Sequence, residues 1–325
     1  MKLQQLRYLV AIVESDLNIS AAADKLHTSQ PGVSRQIKLL EDELGFQIFV
    51  REGRALKRLT QHGQRVVERA QRMIREAQAI RGLALDLRDD QRGTLSIATT
   101  HTQARYVLPP AIARFRERYP KVRLHLHQGT SEQIADMMRT EHVDLAVATG
   151  SNAEFEHCVL LPCYEWHRRL VVPRDHPLAR AKQVSIEKLA QHPIVTYVFS
   201  LSGPSSLRNA FERAGFEPDI ALTARDSDVI KTYVRLGMGV GIVAAMAVSE
   251  RDDPDLVSID AQHLFPRHLT WVGFRRGAFL RRYAYDFMHM LAPHLDRQRV
   301  HKAAAALDPQ GVAQVFEGVR LPLYA

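Results

Sequence analysis

The sequence predicts two fold classes along one chain, an all-α N-terminal region and a C-terminal α/β region. Over roughly the first ninety residues, the apolar side chains recur at helical spacing. From residue 93 onward, β-branched alternating runs take turns with helical ones. With 325 residues, of which 46% are hydrophobic, the chain is long enough for two or three domains with cores of their own.

Composition argues against several classes of protein. No run approaches the roughly 18 apolar residues of a transmembrane helix, so we expect no membrane partner. Acids and glutamines interrupt the N-terminal apolar segment, which does not resemble a signal peptide. Cys158 and Cys163 have neither disulfide-framework nor CxxC spacing, which favours a reduced, cytoplasmic protein. The formal net charge of +8 favours an acidic partner such as DNA where that charge is clustered.

Residues 1–60 show the pattern of a helix-turn-helix. A first helix, a short second helix beginning at "SAAADKL" and a third helix with Pro31 in its first turn follow one another. The exposed face of the third helix is polar and basic at its N-terminal end, with Ser29, Gln30, Ser34, Arg35 and Lys38. This pattern predicts a recognition helix for the DNA major groove. A plain helical hairpin with a solvated face is the alternative.

The next stretch, "FVREGRALKRLT", predicts a β-wing around Gly53. Its basic residues are Arg51, Arg54, Lys57 and Arg58, which we expect to contact phosphate or the minor groove. Between residues 51 and 81, nine Lys or Arg stand against three Glu, so the positive charge is indeed clustered.

A long helix is predicted over residues 61–90, with Thr60 as its cap. Apolar residues recur along it at alternating spacings of four and three, in the order Val66, Ala70, Met73, Ala77, Ile80, Ala84 and Leu87. A heptad pattern on an exposed helix predicts a second copy of the same helix as partner, and therefore a dimer or tetramer that doubles the DNA contacts.

The order of these parts resembles the winged helix-turn-helix of LysR-type transcriptional regulators. The paired alanines, the "TSQPGVS" segment, "LEDELG", "FVR" and "LTQHG" match motif elements of that family over some forty residues. The resemblance implies a dimerising linker helix and a C-terminal effector-binding domain with a bilobed, periplasmic-binding-protein-like fold.

The α/β region agrees with that expectation. Strands and helices alternate from 94 to 149 and again after about 165, which predicts parallel sheets in two lobes. We expect lobe I over about 93–163 and 270–295 and lobe II over about 167–267. The tail, residues 296–325, resembles no shared element and is expected to be disordered.

A polar cluster follows the first strand of this region. Thr99 to Gln103 offer three hydroxyls, an imidazole and an amide where a strand leads into a helix, and Thr149 ends a second strand. Ligands of open α/β sheets bind beyond the C-terminal ends of strands, and a helix N-terminus favours anions. A pocket for a small anion is therefore one interpretation. The other is that Thr100 or Thr102 only caps the helix.

Several segments here, including "ATTHTQARYVLP", "LPCYEWHRRLVV" and "DVIKTYVRLGMGVGIVAAMAV", resemble the CysB and Cbl group of LysR-type regulators of sulfur assimilation and sulfonate use. The resemblance implies an effector site and an effector that is a sulfate-like anion, acetylserine or adenylyl sulfate. It also implies an activator of sulfur-metabolism genes that contacts RNA polymerase. The effector-site positions that match are Thr100, Thr102, Gln103, Thr149 and Ser202, where the family has threonine at the last.

None of the other motifs in the sequence indicates an enzyme. "GMGVG" follows a helix and precedes a strand, the reverse of a dinucleotide-binding turn. His125 and His127 lack a third ligand at suitable spacing, and Lys231 lacks a cofactor motif. We expect no catalytic residue, no metal and no cofactor. The competing hypothesis is a solute-binding or enzymatic α/β protein whose N-terminal segment only oligomerises it.

Overall fold

The computed structural model describes residues 1–53, 55–88, 91–150, 153–181, 183–201, 207–306 and 308–324. They form two compact units, residues 1–89 and 90–325. The elements of the first unit are α1 (Leu3–Glu14), α2 (Ile19–Lys25), α3 (Gln30–Leu44), β1 (Phe49–Glu52), β2 (Ala55–Leu59) and α4 (Gln61–Arg88). This order confirms the winged helix-turn-helix followed by a long helix. Within the described ranges, no helix is both long and apolar enough to cross a bilayer.

Local hydrogen bonds decide where the helices of the first unit begin and end. The Ser29 hydroxyl accepts from the Gly32 N–H at 3.3 Å and starts α3, and the Thr60 hydroxyl accepts from the Gly63 N–H at 2.9 Å and starts α4. Gly45, with φ +75°, ends α3 in the left-handed conformation that glycine adopts without strain. The caps therefore lie where short polar residues precede apolar stripes in the sequence.

One apolar core holds the first unit together. The stripes of α1 and α3 meet there, joined by residues of the hairpin and of α4: Leu6, Leu9, Ile12, Val33, Ile37, Leu40, Ile48, Phe49, Val67 and Ala70 are all buried. The beginning of α4 therefore belongs to this core, because burying its inner face removes apolar surface from water.

The second unit contains two sheets with helices packed on them. Its strands are β3 (Arg92–Thr99), β4 (Lys121–Gln128), β5 (Leu145–Thr149), β6 (Cys158–Trp166), β7 (Arg168–Pro173), β8 (Ile194–Tyr197), β9 (Ile220–Ala224), β10 (Val240–Ala244), β11 (Leu256–Asp260), β12 (His268–Arg275) and β13 (Leu323–Tyr324). Its α-helices are α5 (Leu108–Arg118), α6 (Ser131–Arg139), α7 (Ile186–Leu189), α8 (Leu207–Arg213), α9 (Ser227–Arg235), α10 (Arg282–Leu291), α11 (Arg297–Ala305) and α12 (Pro309–Val315).

Sheet topology divides this unit into two lobes. The six-stranded sheet of lobe I has the order β13-β6-β12-β5-β3-β4, and the five-stranded sheet of lobe II has the order β11-β7-β10-β8-β9. The strands β3, β4 and β5 run parallel, as do β8, β9 and β10. The chain crosses between the lobes at His167 and again between Asp260 and His268. The bilobed α/β fold predicted from the sequence is confirmed.

A π-turn over residues 103–107 lies between the end of β3 and α5. Its defining bond runs from the Leu108 N–H to the Gln103 carbonyl. Pro109 and Pro110 have no N–H to continue the α-helical ladder backward, which explains why the helix widens here. The widened turn leaves both Gln103 and Val107 buried.

The expectation of a disordered tail after residue 296 is wrong. The tail forms α11, α12 and β13, and its residues Val300, Ala303, Val312 and Phe316 are buried in the core of lobe I. β13 pairs with β6 in parallel register, with Tyr324 opposite Trp166. The tail is short of strongly apolar runs, but it covers an open sheet edge and an apolar surface that lobe I would otherwise expose.

Candidate functional site

The first candidate surface is the N-terminal half of α3. We call Ser29, Gln30, Ser34, Arg35 and Lys38 the recognition face. Four of its members are exposed and Ser34 is half-buried, while Val33, Ile37 and Leu40 on the opposite face are buried. Gln30 donates to the Ser34 hydroxyl at 3.3 Å, and Ser29 uses its hydroxyl as the helix cap. Gln30, Arg35 and Lys38 are thus the long, exposed side chains that can reach base edges.

The β1–β2 hairpin has one arginine whose role differs from the expectation. The Arg51 guanidinium pairs at 3.0 Å with the Glu41 carboxylate, whose side chain is only 1% exposed. The same carboxylate accepts the backbone N–H groups of Ile48 and Phe49 at 2.8 and 3.2 Å. Arg51 therefore supplies the counter-charge that allows a buried glutamate to fix the hairpin to α3.

Lys57 is a second basic residue of the hairpin. Lys57 is exposed and pairs with the exposed Glu52 at 3.0 Å, so it remains close to solvent. Arg54 lies outside the described residues.

The heptad stripe of α4 divides into two parts. Ala70 is buried in the core of its own unit, and Val66 is half-buried against that core. Met73 and Ile80 are 46% and 66% exposed, with the half-buried Ala77 between them. The side chains of Ala84 and Leu87 lie outside the described part of the chain. The apolar surface available to a second subunit is therefore centred on Met73 and Ile80 among the described residues.

The second candidate site lies in the other unit, where β3 and β5 end side by side. Thr102 and Gln103 are 8% and 2% exposed, and Thr100 is half-buried. Thr102 makes no capping hydrogen bond, and the Thr100 carbonyl accepts from the Ala104 N–H at 3.0 Å. Capping by the Thr102 hydroxyl thus does not explain why this polar cluster follows β3.

Neutral hydrogen bonds hold Gln103 and Thr149 in place. Tyr164 donates its hydroxyl to the Gln103 amide oxygen, while the Gln103 amide nitrogen lies 3.5 Å from the Thr149 hydroxyl. The Thr149 hydroxyl also lies 2.6 Å from that of Thr270 and 3.2 Å from the Trp166 indole nitrogen. Both side chains are therefore oriented by buried partners before any ligand arrives.

Three of these partners were not predicted from the sequence. Tyr164, Trp166 and Thr270 come from β6 and β12, because β12 pairs with β5 and β6 pairs with β12 in the folded sheet. Their alternating, aromatic pattern is typical of any buried strand, so their role has no signal of its own in the sequence. Ser202, the fifth predicted position, lies outside the described residues.

The site also touches lobe II. Tyr197, at the end of β8, is fully buried, and burial raises the pKa of its phenol, while hydrogen bonds with Ser227 and the Ala244 N–H and the nearby Thr102 hydroxyl oppose that rise. Thr102 thus reaches from lobe I to a side chain of lobe II. The cleft between the lobes therefore includes the polar cluster.

A second contact between the lobes, which we call the Asp228 latch, lies beside this one. The Asp228 carboxylate of α9 accepts from the Tyr106 hydroxyl at 2.7 Å, pairs with Arg105 at 2.9 Å and lies 3.4 Å from the His101 ring nitrogen. Burial opposes ionisation of Asp228, but the hydrogen bond from Tyr106 and the neighbouring cations outweigh it, so its pKa lies below the ordinary value. Lys231, 3.6 Å from the same carboxylate, is buried rather than solvated.

Two groups of side chains have the chemistry of metal ligands. Within the described ranges, His101, Asp226 and Asp228 are the group whose ligand atoms all lie within 4.8 Å of one another. His101 and Asp228 already interact within the Asp228 latch, and Asp226 caps α9. Separately, His142 lies 4.9 Å from His127 between ring centroids, so folding brings a third histidine near the predicted pair.

Comparison with known proteins identifies the family of each unit. Residues 3–64 match the bacterial regulatory helix-turn-helix proteins of the lysR family, and residues 88–296 match the LysR substrate binding domain. Over 321 residues, covering 99% of both chains, the sequence is 49% identical to the HTH-type transcriptional regulator CysB of Haemophilus influenzae. It is 47% identical over 300 residues to the regulator SsuR of Burkholderia cenocepacia, covering 92% of this chain and 97% of that one.

A solved structure agrees with these relatives. The cofactor-binding domain of the Cbl transcriptional regulator is 39% identical and superposes with a TM-score of 0.60, covering 71% of this chain and 96% of that one. The helix-turn-helix, the bilobed domain and these identities lead to one conclusion: the chain belongs to the LysR family of bacterial helix-turn-helix transcriptional regulators.

Proposed function

We propose that this LysR-family regulator activates genes of sulfur metabolism when a small sulfur-related oxyanion or acetylserine binds in the cleft of its second unit. It binds promoter DNA through the recognition face and the β1–β2 hairpin, as a dimer or tetramer formed through α4. It acts in the cytoplasm, where promoter DNA and RNA polymerase are present. The assignment to sulfur metabolism is supported by 49% and 47% identity to CysB and SsuR and by the sequence resemblance to sulfur-assimilation regulators.

The observation that supports an effector site best is the convergence of Thr102, Gln103 and Thr149 beyond the ends of β3 and β5. Neutral hydroxyl and amide donors at a helix start suit an oxyanion, because N–H and O–H groups there share its charge. The partners of Gln103 and Thr149 restrict these side chains in advance, which lowers the entropic cost of binding.

A catalytic role is less consistent with the same geometry. Among the described residues, the partners of the Thr149 hydroxyl are the neutral side chains of Gln103, Thr270 and Trp166. A hydroxyl without a basic partner is a weak nucleophile. We therefore favour a sensor over an enzyme.

The test uses the full chain and DNA selected by that chain from a random pool. Thermal shifts and DNA binding are measured with sulfate, thiosulfate, acetylserine and adenylyl sulfate for the wild type and for Thr102→Val, which removes one hydroxyl at nearly constant volume. Losing a hydrogen bond to a charged ligand costs about 1.5–3 kcal/mol, so we expect ligand affinity to fall about ten- to hundredfold. DNA binding without ligand should stay unchanged.

Thr140→Val is the matched control, because that hydroxyl is exposed and bonds only within its own helix, to the Asp136 carbonyl at 2.8 Å. A normal ligand response in Thr102→Val would place the effector elsewhere.

A further inference from the structure

A buried arginine without a counter-ion lies where the chain crosses between the lobes. Arg168, the first residue of β7, is 2% exposed. Its Nε and Nη1 atoms are buried and have no hydrogen-bond partner among the described residues, and no carboxylate of that part of the chain pairs with it. Burial lowers the pKa of its guanidinium to about 10, so the group is still charged at neutral pH.

The surroundings of Arg168 supply packing and no negative charge. Its guanidinium carbon lies 5.4 Å from the centre of the Phe265 ring. Burial, together with the nearby charge of Arg168, lowers the His268 pKa to about 3. The His268 imidazole is therefore neutral. The His268 Nε2 atom is also buried without a partner among the described residues.

A third unpartnered polar group lies at the same edge of the lobe II sheet. β8 and β10 run parallel and end where β7 begins, with Ala244 opposite Arg168 in register. Ser200, in the turn after β8, is fully buried, and its hydroxyl has no partner within the described ranges. Both ring nitrogens of the neighbouring His167 are also buried without a hydrogen-bond partner among the described residues. Buried polar groups in proteins are almost always paired, so this group of residues calls for an explanation.

The energetic argument is strongest for the arginine. Removing an ion from water costs several kcal/mol unless an opposite charge and hydrogen bonds compensate. Such a cost is retained where a group must meet a ligand, because binding sites are selected for function at the expense of stability. Among the described residues, Arg168 therefore has no anionic partner, and an anion from outside the chain would supply one.

Arg168 also adjoins the polar cluster described above. It interacts electrostatically with Tyr197, which lies near the Thr102 hydroxyl. On the other side, His268 stacks on Trp166 with ring centres 4.4 Å apart, and Trp166 donates to Thr149. Both connections end at the residues proposed to hold the effector.

We propose that Arg168 is the charged contact of the effector cleft, holding an oxyanion group of the ligand from lobe II opposite the neutral donors of lobe I, with Ser200 as a neighbouring donor. This inference rests on the proposed function and adds a requirement to it. The ligand must place a negatively charged oxygen, such as that of a sulfate or sulfonate group, at the lobe crossing.

Arg168→Met tests the assignment by two measurements, the melting temperature and the affinity for sulfate. An arginine with a purely structural role would not give both of the expected results. In Tris–chloride buffer that contains no oxyanion, the full-length variant should melt at a higher temperature than the wild type, because an unpaired buried charge is replaced by an apolar side chain of similar length. Its affinity for sulfate, measured by calorimetry, should fall about ten- to hundredfold, the usual loss for a charged hydrogen bond. Arg168→Lys should recover part of that affinity.

Arg169→Met is the matched control. Arg169 is the next residue along the chain and is half-buried, and its guanidinium donates to the Ser258 hydroxyl at 2.6 Å. Replacing it by Met removes the same positive charge. Its sulfate affinity should stay at the wild-type value. A lower melting temperature for Arg168→Met in the oxyanion-free buffer, or unchanged sulfate affinity, overturns the assignment.

The Thr102→Val variant separates the two proposals. If Thr102→Val loses sulfate binding and Arg168→Met retains it, the effector site stands and the role of Arg168 does not. If neither the wild type nor any variant is stabilised by sulfate, thiosulfate, acetylserine or adenylyl sulfate, both proposals fail.

Discussion

Some basic side chains of the first unit stabilise its fold, whereas others remain exposed and can contact DNA. Arg51 and Lys57 look alike in the sequence, as two basic residues of one hairpin. Arg51 pairs with a buried glutamate, whereas Lys57 pairs only with the exposed Glu52. The exposed pair is weak and easily exchanged for phosphate, and the buried one is not.

Arg35 and Lys57 should therefore affect DNA binding differently. We expect Arg35→Ala, on the recognition face, to lower the preference for selected DNA over random DNA by about 1–3 kcal/mol, because a base contact is lost. Lys57→Ala should weaken binding to all DNA alike and reduce the salt slope by about one, because it removes a phosphate contact. Gel shifts at two salt concentrations measure both effects. Wild-type preference in Arg35→Ala would show that another face reads the bases.

At the scale of elements, α4 combines two tasks along its 28 residues. Val67 and Ala70 are buried in the core of the first unit, while Met73 and Ile80 stay exposed. A sequence pattern shows the apolar spacing of the whole helix, but not which turns are already covered by the same chain. Only the exposed turns are free for a second copy.

The double variant Met73→Glu and Ile80→Glu should abolish self-association. Charges buried in a helix–helix seam without partners cost several kcal/mol, enough to separate the subunits at micromolar concentration. Light scattering should show the monomer mass, and binding to a two-fold DNA site should fall with it. Gln61→Glu with Gln64→Glu adds the same charge at exposed positions of α4 and should keep the wild-type mass. An unchanged mass in the Met73 and Ile80 variant would rule out this seam.

At the scale of the whole effector-binding unit, the Asp228 latch and the contact of Thr102 with Tyr197 join the two lobes side by side. Asp228 lies in the N-terminal turn of α9 and Tyr197 at the end of β8, and both lie next to the segment that follows β3. We therefore expect a ligand bound at this segment to alter the contacts between the lobes.

Asp228→Asn should lower the melting temperature of the full chain by about 2–4 °C at pH 7, the effect of losing roughly 1 kcal/mol from a partly exposed charge network. The Asp228 pKa is depressed in the folded state, so its stabilisation is complete above the unfolded value of about 4 and is lost as pH falls through the folded value. The difference from wild type should thus be constant from pH 8 to 6 and shrink below about pH 4.

Asp136→Asn is the control for the Asp228 latch, because that carboxylate is mostly exposed and pairs only with Arg139 of its own helix. It should leave the melting temperature nearly unchanged. A difference between Asp228→Asn and wild type that does not shrink in acid would mean that the carboxylate charge is not what stabilises the latch.

The sequence by itself determined the order of elements, the helix caps, the bilobed α/β fold and the position of the polar cluster after β3. These depend on neighbours along the chain: periodicity, capping residues and strand ends are local, and local interactions leave local patterns. Thr60 begins its helix as predicted from the sequence. The segment 99–103 lies at a strand-to-helix junction, as its residue types indicate.

Tertiary structure alone decided the rest. The tail was expected to be disordered, yet Val300 and Phe316 complete a core that also includes residues far away in the chain, such as Leu95 and Phe115. Tyr164, Trp166 and Thr270 orient Gln103 and Thr149 because β12 lies beside β5 in the sheet and β6 lies beside β12. Arg168 looks like half of a surface Arg-Arg pair until the two lobe crossings bury it beside His268. Burial and the identity of a distant partner depend on how the whole chain packs, and no local pattern encodes them.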